Sequence, residues 1–251
     1  MKTQKIKLFS IVLLTVIGIT SCKKEQVEEQ TFGSVNVYLS HVWGMNNDPF
    51  ELNVPLVHPM NGDTMTFTTF KYYVSNLQLK KKDGSWWKHP ESYFLVDVSN
   101  PTSLKLNVSN IPTGDYTEFK YVLGVDSLRN VSGAQSGALS TTNAMFWSWN
   151  TGYIMLKAEG TSPQSSTGNF AFHLGGFSGT TNIVTTKSVV FDQPMTVSSG
   201  KTSGIYLIAN PAKLFHANPL SNGTNIMMPG PKAVEMAGNF YGSVVFDYFT
   251  E

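Results

Sequence analysis

Apolar and polar residues alternate with a period of two along most of the chain beyond residue 33. Val35, Val37, Leu39 and His41 fall on one side of an extended segment, and Ser34, Asn36, Tyr38 and Ser40 fall on the other. Residues 64–82 are rich in Thr, Phe, Tyr and Val and predict one long or two bent strands. Further strands are expected over 93–98, 104–108, 116–124, 153–159, 169–175, 187–191, 204–209 and 240–248. Ile111-Pro112-Thr113-Gly114-Asp115 reads as a turn, with a fixed φ at Pro112 and a permissive one at Gly114. Helix is expected only in short pieces, at 210–216 and after Asn143. The pattern predicts one all-β, antiparallel, sandwich-like domain over 33–251, with few short helices.

The first 21 residues break this pattern. Lys2, Lys5 and Lys7 precede an uncharged apolar run and then small residues before Cys22. Those are the parts of a secretory signal, and the run falls short of the ~20 apolar residues that a membrane span needs. A cysteine directly after the small residues marks a lipoprotein signal, cut before Cys22 and lipidated on its thiol. Residues 22–32 then carry the lipid and a polar tether, and the protein is expected in the bacterial cell envelope, on the outer membrane, facing periplasm or surface.

Removing residues 1–21 lowers the formal charge from +1 to −2. No basic field remains for nucleic acid. Cys22 is the only cysteine, which excludes an internal disulfide and cysteine-built zinc or iron–sulfur sites. Metal chemistry is left to His, Met, carboxylate, backbone or modified side chains. No HExxH, nucleophile elbow, P-loop or dinucleotide fingerprint occurs in a suitable setting, and no acid pair stands out. The chain is therefore read as a non-enzyme.

Five histidines are present: His41, His58, His89, His173 and His216. His173 alternates with Phe172 and Leu174, so it faces away from the apolar set, beside Ala171 and Gly175. His41 continues the apolar face of the first strand, with Trp43 and Met45 in the same parity. Trp147 and Trp149 are two apart and point to one side of an extended backbone. Two readings follow. Imidazoles brought together could hold copper, or the tryptophans could form a stacking platform in a metal-free binding or structural module. A calcium-stabilised structural protein using Asp126 and loop carbonyls is a third.

These same segments resemble the MbnP-like family of bacterial copper-binding proteins. The likeness runs through the first strand ending in His41; Phe70-Lys-Tyr-Tyr-Val-Ser-Asn76-Leu77; and Tyr93-Phe-Leu-Val-Asp97. It continues through Ile111-Pro-Thr-Gly-Asp-Tyr116, Leu123-Gly-Val-Asp126, Met145 to Tyr153, Lys157-Ala-Glu-Gly160 and Phe172-His-Leu-Gly-Gly176. The resemblance implies a β-sandwich-like domain binding one copper ion through histidines, with His173 as the best ligand and His41 as the second. It also implies a tryptophan near the metal, oxidised to kynurenine by a partner di-haem enzyme of the MauG type; Trp147, Trp149 and Trp43 are the candidates. Anchoring through Cys22 departs from the soluble members. The combined expectation is that His41 and His173 converge, with space left by Gly44, Gly175 and Gly176.

Overall fold

The computed structural model describes residues 29–133, 135–148 and 151–251. Residues 1–21, expected to form a signal, together with Cys22 and Trp149, lie outside the described residues. In chain order the strands are β1 (Phe32–Trp43), β2 (Asp48–Pro49), β3 (Pro55–Val57), β4 (Thr64–Lys81), β5 (Trp86–Lys88), β6 (Tyr93–Asp97), β7 (Lys105–Pro112), β8 (Gly114–Leu123), β9 (Phe146–Ser148), β10 (Gly152–Thr161), β11 (Asn169–Gly175), β12 (Thr185–Val197), β13 (Thr202–Ala209), β14 (Asn225–Ile226) and β15 (Val245–Thr250). Two α-helices, α1 (Ser127–Val131) and α2 (Pro231–Gly242), and several 3-10 turns complete the described elements.

The strands form a smaller sheet of five (β15, β13, β1, β2 and β7) and a larger sheet of ten. The larger is held by the pairing path β12–β8–β4–β10–β11–β14. β4 is its hub. Tyr72 pairs with both Leu156 and Val96, and Val74 with both Leu123 and Phe94. One edge of β4 therefore carries β10 and then β8, while β6 lies along the other. The all-β, sandwich-like expectation holds, with two parallel pairings, β1 with β13 and β11 with β14, inside the otherwise antiparallel arrangement.

Alternation explains which faces meet. Val35, Val37 and Leu39 of β1 are buried, as are Phe67, Phe70 and Tyr72 of β4. Between the sheets the aromatic rings meet edge to face: Phe50 with Phe67 at 5.1 Å and Phe67 with Phe170 at 5.2 Å, between centroids. That geometry sets ring edges against ring faces, which adds to the burial of apolar area.

The C-terminal segment departs from the sequence reading. The strand expected over 240–248 is split, with the last turns of α2 first and β15 after. Pro231 sits at the helix start, where its missing N–H costs nothing. Ala233, Met236, Ala237, Phe240 and Tyr241 then recur at helical spacing and are all buried. Phe240 meets Phe70 and Tyr72, each at 5.2 Å, so α2 packs against the inner face of β4. Of the two helical pieces expected, 211–215 is a 3-10 turn, and the stretch after Asn143 forms strand β9 instead.

Candidate functional site

His173 lies on the outer face of the larger sheet. Cross-strand pairing runs Asp97–Lys71–Lys157–His173 through β6, β4, β10 and β11, so these four side chains share that face. His173 Nε2 donates to Glu159 Oε1 at 2.6 Å. Lys157 Nζ lies 3.6 Å from the same oxygen, and Lys71 Nζ lies 2.9 Å from Asp97 Oδ2. Burial alone would raise the Glu159 carboxyl, but the hydrogen bond from His173 and the Lys157 charge outweigh it and hold the group below its ordinary value. The His173 side chain is 12% exposed. Its Nδ1 receives no hydrogen bond among the described residues.

A loop covers this face from the side. Lys157 Nζ donates to Ala144 O at 3.0 Å, and the half-buried Trp147 ring lies on Gly175. A Cβ at Gly175 would stand 2.5 Å from the Trp147 ring, and one at Gly176, whose φ is +120°, would collide with Thr181 O. The glycines expected to leave room for an ion beside His173 instead admit Trp147 and the backbone of the next turn.

His41 sits elsewhere. Its ring packs against Phe50, Phe70 and Tyr72, with centroids 5.8–6.4 Å away. Its Nε2 is bonded to Tyr72 Oη at 3.1 Å. Burial of the ring lowers its pKa to about 4, so it is neutral at ordinary pH. Phe70 and Tyr72 alternate with Lys71 along β4, so they face the core while Lys71 faces out. The two histidines are therefore on opposite sides of the larger sheet, and the expected convergence does not occur. Trp43 belongs to the His41 side: it stacks on Phe50 at 5.9 Å, is buried, and donates Nε1–H to Val57 O. Trp147 belongs to the His173 side.

The remaining histidines carry structural contacts or lie at the surface. His58 Nδ1 accepts from the backbone of Met60 and Asn61, and Nε2 donates to Ala212 O, so both ring nitrogens are used. His89 Nδ1 accepts from Glu91 N, and His216 is exposed. Asp126 does not suit calcium: it caps α1 by accepting from Arg129 N, and its other oxygen accepts from Asn76 Nδ2 and Tyr93 Oη. A carboxylate facing three donors is arranged for N–H and O–H groups, not for a cation. Among the described residues no three His, Cys, Asp or Glu side chains gather around a common point. Glu159 and Tyr72 are the partners that sequence reasoning missed. Glu159 was traceable, because a β10–β11 hairpin in register sets residues 157–159 against 171–173.

A family model described as MbnP matches residues 32–229. The chain belongs to the MbnP family. Among solved structures, MbnP from Methylosinus trichosporium is similar, with a TM-score of 0.54 and 17% identity, over 81% of this chain and 87% of that one. At that identity the likeness shows a shared fold. A search of curated proteins finds no match. The MbnP-matched region holds both histidine neighbourhoods, Trp43 and Trp147. α2 and β15 lie beyond it, yet α2 supplies Phe240, which packs on Tyr72, the partner of His41.

Proposed function

We propose that this chain is a lipid-anchored, extracytoplasmic copper-binding protein of the MbnP family, non-enzymatic, serving copper uptake or handling. Family membership supports the reading. Cys22, placed after a basic and then apolar leader, supports the anchor. Tested against the donors present, a copper ion shared by His41 and His173 does not fit, because a sheet separates them. On the outer face His173 is the imidazole placed to offer a nitrogen to an ion. The observation that carries this is the His173–Glu159 bond: a carboxylate that accepts the Nε2–H bond fixes the ring and leaves Nδ1 without a hydrogen bond among the described residues. Imidazole nitrogen of this kind suits copper. A MauG-type di-haem partner acting on a tryptophan would approach Trp147 from that same face, whereas Trp43 is buried.

The rival reading, a metal-free module with a tryptophan platform, finds little support in Trp147, whose ring is occupied by Gly175. Copper titration of the parent and of His173→Ala tests the proposal. Loss of most affinity in the variant is expected. Unchanged affinity would mean that the scaffold has kept the fold and lost this site.

A further inference from the structure

The end of the sandwich at which the chain enters carries an unusual hairpin. Thr31 O accepts from Thr113 N at 3.0 Å, so the segment preceding β1 is docked on the β7–β8 turn. Two residues along, Asp115 O accepts from Lys82 N at 3.0 Å, at the tip of the β4–β5 hairpin. The hairpin tip and the chain entry therefore flank one turn. Thr31 lies nine positions beyond Cys22, a reach of at most about 30 Å. A lipid on Cys22 would hold this end, and not the opposite one, near the bilayer.

The hairpin reads Lys80-Lys-Lys-Asp-Gly-Ser-Trp-Trp-Lys88. Lys80 pairs with Trp86, and Gln78 with both Lys88 and Lys120, so Lys80, Trp86, Lys88 and Lys120 share the outer face. Lys120 Nζ stands 3.8 Å from the centroid of a Trp86 ring and Lys80 Nζ stands 5.7 Å away. Glu118 lies 3.5 Å from Lys80, and Asp115 lies 3.8 Å from Lys82. The exposed Lys82–Asp115 pair holds its partner weakly, so Lys82 can turn to another anion. Trp87, on the other face, packs against the core and fixes the hairpin to the sandwich. An amphipathic indole ringed by lysine ammonium groups matches the chemistry of a membrane interface with anionic headgroups.

We propose that Trp86, with Lys80, Lys88 and Lys120 on its face and Lys82 at the hairpin tip, docks on anionic lipid headgroups and orients the domain on the bilayer that anchors it. This rests on the lipid-anchor reading. His173 lies level with Lys71, ten residues up β4 from Lys81, so docking through the hairpin would leave His173 on the same outer face, roughly 30 Å along the strand from the contact.

The test uses the mature lipidated protein in vesicles of phosphatidylcholine alone or mixed with phosphatidylglycerol, carrying a headgroup-level fluorescence quencher. Quenching that rises with phosphatidylglycerol, and is lost in Trp86→Phe, is expected. Replacing Lys80, Lys88 and Lys120 by Gln should weaken the anionic-lipid response about fivefold per lysine. Equal quenching in both vesicle types, or in parent and Trp86→Phe, would overturn the proposal, as would protection of the hairpin by a protein partner instead. Mass spectrometry of Cys22 separates the two readings. If Cys22 carries no lipid, the anchor fails, and flotation of the same chain with the anionic vesicles decides the surface: Trp86-dependent binding upholds it and no binding rejects it.

Discussion

His173 and His41 stand on two sides of one sheet and are treated in opposite ways. On the outer face, His173 is met by a carboxylate with one lysine beside it, and the His173 hydrogen bond and the Lys157 charge hold the Glu159 carboxyl below its ordinary value. On the inner side, His41 is met by a phenol and by phenyl rings, with no carboxylate bonded to it among the described residues, and burial holds it neutral. The same side chain thus becomes a hydrogen-bonded, oriented imidazole in one place and a neutral packing group in the other. For His41 the environment decides: in low dielectric the charged form is penalised when no opposite charge stands beside it.

The largest expected effect separates the two by function. His173→Ala should remove most copper affinity with modest loss of stability. His41→Gln should leave the affinity within a few-fold and lower the urea midpoint. If the effects were exchanged, copper would sit on the inner side. The next is a pH effect. Folded His41 protonates only near pH 4, while the unfolded chain protonates near 6.5, so lowering the pH favours unfolding. Stability should be full above pH 6.5 and fall by up to about 3 kcal/mol as pH drops to 4. His58, whose pKa burial also lowers, adds in the same direction. Denaturant curves across this range should flatten in His41→Gln; an unchanged slope would place the burial penalty elsewhere.

Glu159→Gln should weaken copper binding about 10- to 100-fold while leaving the fold intact, because it removes the group that orients His173. Retained affinity would show that His173 needs no carboxylate behind it. The smallest effect is Tyr72→Phe. It leaves a His41 ring nitrogen unpaired, at a cost of about 1–2 kcal/mol in chemical denaturation, with copper affinity unaltered. A change in affinity there would link the two sides of the sheet.

Several of these features were legible before any tertiary contact was known. The alternation of Val35, Val37, Leu39 and His41 set that histidine inward, and the alternation of Phe172, His173 and Leu174 set the other outward. Taken together, these parities already opposed convergence, since an inward and an outward side chain on facing sheets can meet only around an edge. α2 was legible too: Pro231 and the spacing of Ala233, Met236, Ala237 and Phe240 are helical, although the following Val-Val-Phe-Asp-Tyr run reads as strand. Trp147 against Gly175 was not legible, because a glycine beside a histidine reads equally as room for an ion or for a ring.

The sequence by itself determined the β class, the inward and outward sides of each strand and the donors available for metal. These follow from the two-residue repeat of extended backbone and from side-chain chemistry, both local properties. Only the tertiary structure decided that Glu159 accepts the His173 hydrogen bond, that Tyr72 meets His41, and that Trp147 fills the space beside Gly175. Those pairings depend on strand register and sheet packing between residues up to 31 positions apart. No local periodicity encodes them.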